Sequence, residues 1–167
     1  MENYIVINGK KTELTKEQLE KLGIKPERNN PFEKVAEGED YFIIDPDGQT
    51  FLMTDKCSDT DNWYYDNAAY FNDEEFTEQM SLKWLLNRKL EKYAWDNGAE
   101  DVEWDKNRTN SHFCIHCLMS EQRFVAPYEY GDGKVTGAVY FSSRKVAEKA
   151  ITDVIEPFME EHPEFRW

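Results

Sequence analysis

The chain has 167 residues, 40% of them apolar and 14% aromatic, with a formal net charge of −14. Ten Phe, nine Tyr and five Trp exclude a disordered acidic tail, and the length allows one good core or two small cores sharing an interface. No apolar run approaches the ~20 residues needed to cross a bilayer, and residues 1–25 carry Lys10, Lys11 and Lys16 where a secretory signal would have an apolar core.

In chain order, Tyr4-Ile5-Val6-Ile7 predicts a strand, Asn8-Gly9 a tight turn, and the residues through Thr12 and Leu14 a return strand. Thr15 is placed to cap a short helix bearing Leu19 and Leu22, with Gly23 ending it. Residues 24–38, with Pro26, Asn29-Asn30-Pro31 and Gly38, predict a linker in which Phe32 and Val35 dock. Tyr41-Phe42-Ile43-Ile44 predicts a strand, Asp45-Pro46-Asp47-Gly48 a turn, and Phe51-Leu52-Met53 the returning strand. An acidic loop through Asp61 follows, then aromatic strands at Trp63-Tyr64-Tyr65 and Tyr70-Phe71.

Asn72 stands three residues before Glu75, a capping-box spacing with Asp73 and Glu74 in the first turn. Phe76, Met80, Leu82, Leu85, Leu86, Leu90 and Tyr93 continue a long helix to about Trp95, ended by Gly98. Beyond it, strands are expected at Val102-Glu103-Trp104, Phe113-Cys114-Ile115, Arg123-Phe124-Val125 and Ala138-Val139-Tyr140-Phe141, with a hairpin turn at Gly131-Asp132-Gly133. Ser142 or Ser143 caps a helix through Val146, Ala147, Ala150, Ile151, Val154 and Ile155, and Pro157 forces a kink before a final turn to Glu161.

The two halves resemble one another. Ala69-Tyr70-Phe71-Asn72 aligns with Val139-Tyr140-Phe141-Ser142 at an offset of 70, and Tyr41-Phe42-Ile43 with His112-Phe113-Cys114 at 71. The expected architecture is α+β: an N-terminal hairpin and short helix over 1–28, then two duplicated β-rich units. These units, 29–98 and 99–167, each end in a helix packed on a mostly antiparallel sheet.

Charge is concentrated. Glu37, Glu39, Asp40, Asp45, Asp47, Asp55, Asp59, Asp61, Asp66, Asp73, Glu74, Glu75 and Glu78 face the single base Lys56, a net −12 in 42 residues. Such a field repels nucleic acid and membranes and attracts basic protein surfaces. Aromatics rimmed by acids suit an interface that accepts Arg and Lys. The expected partner-binding set is therefore Asp55, Asp59, Asp61, Trp63, Tyr64, Tyr65, Asp66, Asp73, Glu74 and Glu75.

Other chemistry is thinner. His112-Phe113-Cys114-Ile115-His116-Cys117 gathers four of the six Cys and His residues, and on one strand His112, Cys114 and His116 would share a face. A zinc site needs a second ligand pair, to which Cys57 or His162 could add only one. A reactive cysteine there would need an electropositive setting that this acidic chain hardly offers. Asp45 and Asp47 lack the remaining ligands of a calcium loop. No nucleophile-elbow, phosphate-loop, dinucleotide or zinc-protease motif occurs, so no catalytic residue and no cofactor is expected. Three cysteines without a disulfide framework suit a reducing cytoplasm.

Asn30-Pro31-Phe32-Glu33-Lys34-Val35, Tyr41-Phe42-Ile43-Ile44-Asp45, Tyr70-Phe71-Asn72-Asp73 and Val139-Tyr140-Phe141-Ser142-Ser143 carry a resemblance. Across most of 29–165 the chain resembles small accessory proteins of phages and mobile elements of Gram-positive bacteria. Proteins of that sort include inhibitors of bacterial defence, among them anti-CRISPR proteins, some of which imitate DNA. The resemblance implies a non-enzymatic inhibitor acting in the host cytoplasm on a nucleic-acid-binding protein or nuclease, a Cas9-type enzyme being one example. The alternatives are an adaptor domain whose acids keep it soluble, and a small metal-dependent enzyme using His112, Cys114 and His116.

Overall fold

A computed structural model describes residues 4–7, 10–13, 30–99, 111–121, 123–130 and 135–166. The expected turn at Asn8-Gly9, the helix begun by Thr15, the strand at Val102-Glu103-Trp104 and the turn at Gly131-Asp132-Gly133 lie outside these residues. Strands β1 (Tyr4–Ile7) and β2 (Lys10–Glu13) pair antiparallel, with Ile7 opposite Lys10.

Aromatic and β-branched residues on both sides of a strong turn make the next hairpin. Strand β3 (Asp40–Ile44) pairs antiparallel with β4 (Thr50–Thr54), placing Tyr41 opposite Met53 and Ile43 opposite Phe51. The turn closes as expected. Gly48 adopts a φ of 86°, its N–H donates to the Asp45 carbonyl at 3.0 Å, and the Asp45 carboxylate accepts from the Gln49 N–H at 2.8 Å.

The stretch after β4 departs from expectation. The aromatic run Trp63-Tyr64-Tyr65 is not a strand but lies inside helix α1 (Asp59–Asp66). Aromatics favour strands weakly, whereas the helix is started by a reciprocal cap: Ser58 Oγ accepts from the Asp61 N–H and the Asp61 carboxylate accepts from the Ser58 N–H. Tyr70-Phe71 also forms no strand beyond one antiparallel bridge, Phe42 to Phe71.

Helix α2 (Glu74–Asp96) follows, and its cap is Asp73 rather than Asn72. Asp73 Oδ1 accepts from the Phe76 N–H at 2.8 Å, while the Asn72 amide donates backwards to the carbonyls of Asn30 and Glu33. Gly98, with a φ of 82°, comes just beyond the helix end, as its sequence position implied.

In the second half, His112–Cys117 is split between two strands. Strand β5 (Ser111–Phe113) pairs with β8 (Tyr128–Tyr130), β6 (His116–Leu118) pairs with β7 (Arg123–Val125), and Cys114-Ile115 joins the two sheets. One continuous face for His112, Cys114 and His116 is therefore lost. Of Ala138–Phe141, only Phe141 is bridged, to Phe113.

Helix α3 (Arg144–Ala150) is capped by Ser143 and runs through a π turn, Ile151–Ile155, into α4 (Glu156–Glu161). Within the π turn the Glu156 N–H reaches back to the Ile151 carbonyl. Pro157, which has no N–H, follows directly after the π turn, in the first turn of α4.

The larger core lies between α2 and the C-terminal helices. Leu86, Leu90 and Ala94 from α2 meet Phe141, Ala147, Ala150, Ile155, Phe158 and Phe165, all buried. The small residues Ala147 and Ala150 allow close helix approach. A smaller core of Tyr41, Ile43 and Tyr70, with Val35, Met53 and Tyr64 packed on it, lies beside β3 and α1. The architecture is α+β, with small antiparallel sheets beside helices. Among the described residues no helix is long and apolar enough to cross a membrane.

Candidate functional site

The acidic stretch 37–78 comprises the β3–β4 hairpin, α1 and the start of α2. Ten of its thirteen acids are exposed, Asp45 is half-buried, and Asp55 and Asp61 are buried. The segment before it is strapped in place. Phe32 packs on Phe71 and Phe76 at ring separations of 5.3 and 5.4 Å, and the Val35 N–H donates to Tyr70 Oη at 3.3 Å.

Asp55 and Asp61 belong to an internal network. Tyr70 Oη donates to Asp55 Oδ2 at 2.8 Å, the Cys57 N–H donates to Asp55 Oδ1 at 2.6 Å, and Lys34 Nζ stands 3.9 Å from Asp55. Tyr41 Oη donates to Asp61 Oδ1 at 2.8 Å, while Asp61 Oδ2 accepts from the N–H groups of Lys56 and Ser58 and from Ser58 Oγ. These bonds, the one from the Ser58 hydroxyl first, hold the Asp61 carboxyl well below the ordinary carboxylate range. Burial, followed by the bond to Asp61, pushes the Tyr41 phenol up, and burial with the bond to Asp55 does the same for Tyr70. Both carboxylates thus hold α1 and the hairpin together and are not available to a partner. Their burial has a local signal in the Ser58-Asp59-Thr60-Asp61 cap spacing and a distant one in Tyr41 and Tyr70, which composition does not reveal.

The remaining members of the expected set are placed differently. Asp59, Trp63 and Asp66 follow a helical i, i+4, i+7 spacing on α1, and all three are exposed, Trp63 by 59%. Tyr65 is exposed by 41%, and Lys34 Nζ lies 5.8 Å from its ring centre. Tyr64 is half-buried, turned toward the smaller core and edge-on to Trp63 at 5.3 Å. Asp73, Glu74 and Glu75 are exposed at the start of α2, where the helix dipole favours negative charge. Carboxylates on either side of a solvent-facing indole can receive a Lys or Arg side chain by ion pairing and cation–π contact together.

The histidines and cysteines do not assemble comparably. His112 and Cys114 are buried and His116 is exposed, with Cys114 Sγ 3.1 Å from His116 Nε2. His162 lies at the end of α4 between Glu161 and Glu164, and Cys57 is exposed in the acidic half. Among the described residues no group of three or more His, Cys, Asp or Glu is arranged to hold a metal ion. Partial desolvation, then the Asp55 and Glu37 carboxylates, push the Cys57 thiol up, away from nucleophilic character.

A cavity of about 620 Å³ lies between the β3–β4 turn and α2, walled by Ile44, Trp84, Leu90 and Phe165 with Lys83 and Arg88. Among the described residues Asp45 is the one carboxylate lining it, and Ser81 and Asn87 are its uncharged polar side chains. The chain matches no protein-family model, no curated protein and no solved structure.

Proposed function

We propose that this chain is an acidic inhibitor that places the α1 face and the start of α2 on a basic, nucleic-acid-binding surface of a bacterial protein such as a defence nuclease. The observation that supports this reading most is the exposed Asp59-Trp63-Asp66 stripe on α1, with Asp73, Glu74 and Glu75 exposed at the start of α2, within a stretch carrying net −12. Guide-loaded nucleases present Lys- and Arg-lined channels of the complementary sign. The chain would be phage- or mobile-element-encoded, act in the host cytoplasm, and need no cofactor.

The duplication is part of the same proposal. Units 29–98 and 99–167 each carry one phenylalanine bridge, Phe42 to Phe71 and Phe113 to Phe141. Each bridge precedes a side-chain-capped helix, and ring pairs recur at the aligned positions, Tyr41 with Tyr70 and His112 with Tyr140. The second unit would then be a structural partner to the first, its thirteen acids offset by eight Lys and Arg residues.

The test is a tagged pull-down from a Gram-positive host lysate, eluted in salt steps. A nucleic-acid enzyme released by moderate salt and displaced by added DNA is the expected result. Changing Asp59, Asp66, Glu74 and Glu75 to Lys should abolish the capture. Capture that ignores salt, DNA and those four changes would assign the acids to solubility and overturn the proposal.

A further inference from the structure

The β3–β4 hairpin is bridged on one edge and open along the other. Phe42 exchanges both of its outward backbone hydrogen bonds with Phe71, so the outer edge of β3 is occupied at its centre. In an antiparallel ladder the direction of the backbone groups alternates, so Tyr41 and Ile43 face β4 and pair with Met53 and Phe51. The N–H and C=O groups of Thr50, Leu52 and Thr54 must then point away from β3. Among the described residues none of these six groups has a hydrogen-bond partner.

Natural edges of this kind are blunted by lysine, proline, a bulge or a covering loop. Thr50-Phe51-Leu52-Met53-Thr54 contains neither lysine nor proline, and two large apolar side chains in it are poorly covered, Leu52 exposed by 59% and Phe51 by 43%. On alternate faces of the pleat, Phe51 and Leu52 would each meet a side chain of an added strand. We propose that β4 is a strand-addition site that takes an extended, basic segment of a partner protein.

Charge selects the occupant. The strand is neutral, but it sits in the stretch with net −12, and exposed Asp40 and Asp47 stand at opposite ends of the hairpin. A second copy of this chain would bring two such fields together, which opposes self-pairing. A partner strand alternating Lys or Arg with apolar residues places cations toward those acids, and its backbone completes the open ladder over about 14 Å of β4. The proposal rests on the acidic-interface reading for the sign of the partner, and on the open ladder for its conformation.

The test uses the full chain and a blocked octapeptide alternating Lys and Val. Hydrogen exchange followed by NMR should show the Thr50, Leu52 and Thr54 amides gaining protection when the peptide is added. N-methylation of alternate peptide nitrogens should weaken binding at least about tenfold, because ladder bonds are lost. Leu52→Pro, which removes only an outward-facing N–H, should do the same with the thermal midpoint retained. Should that variant fail to fold, the methylated peptide decides.

Equal binding of the methylated peptide, or unchanged edge amides, would overturn strand addition while leaving the charge reading intact. Equal binding of a Glu/Val octapeptide would overturn the basic occupant and the acidic-interface reading together. A dimer in sedimentation with these amides already protected would mean that a second copy holds the edge, overturning the proposal.

Discussion

Tyr41 and Tyr70 stack face to face, ring centroids 3.9 Å apart and planes 7° from parallel, and each donates its hydroxyl to a different buried carboxylate. Aromatic pairs left to themselves prefer offset or edge-on geometry. Here the two hydroxyl bonds, to Asp61 and Asp55, fix the ring orientations. One stacked pair therefore ties the hairpin, the helix α1 and the turn before α2 to a single polar network.

Removing one hydroxyl should be costly although the ring remains. Tyr70→Phe leaves Asp55 with one fewer donor at full burial, a loss of about 1–3 kcal/mol. Trp63→Ala, on the exposed face of α1, should change stability by no more than about 0.5 kcal/mol. Urea unfolding of the two variants beside the parent chain measures both.

Stability should fall at both ends of the pH scale. Asp61 titrates lower in the fold than in the unfolded chain, so its contribution is present above pH about 4 and lost as pH falls toward the folded value. Tyr41 and Tyr70 titrate higher in the fold, so their contribution is present below pH about 10 and lost as pH rises through the folded values. Thermal midpoints across pH should form a plateau with an acid limb and an alkaline limb, and Asp61→Asn should flatten the acid limb.

The exposed thiol of Cys57 should react slowly. Its raised proton affinity leaves little thiolate at neutral pH, so alkylation by iodoacetamide should lag behind that of free cysteine and accelerate as pH rises. Mass spectrometry of the labelled peptide against a cysteine standard gives the rates. Equal rates at pH 7 would contradict the influence assigned to Asp55 and Glu37.

The larger core should be the more sensitive to truncation. Phe158 is buried among α2 and the C-terminal helices and sits edge-on to Phe165 at 5.5 Å, so Phe158→Ala should cost about 3–5 kcal/mol. A loss below about 1 kcal/mol would mean that the site collapses without leaving a cavity.

What was legible in the sequence was local. Asp45-Pro46-Asp47-Gly48 folds as its turn chemistry requires, and the long apolar stripe of α2 with Gly98 beyond it reads directly as a helix and its stop. Ser143 caps α3 at one of the two serines expected. The helical state of Trp63-Tyr64-Tyr65 was hidden because three adjacent aromatics suggest a strand, while the deciding interaction lies between Ser58 and Asp61. The burial of Asp55 was less legible still. It depends on Tyr70, fifteen residues away, and composition counts every carboxylate in a loop as solvated.

Asp55 draws three separate stretches of chain to one point: the strap through Lys34, the bend at Cys57 and the turn ending in Tyr70. A carboxylate at that depth is tolerated only while its partners are present, and removing one strands the charge. The hairpin, α1 and the 30–39 strap therefore have no half-assembled form of comparable free energy. A protease that cuts the strap should therefore release the whole group together, this half of the molecule opening as one cooperative unit rather than fraying inward from its edge.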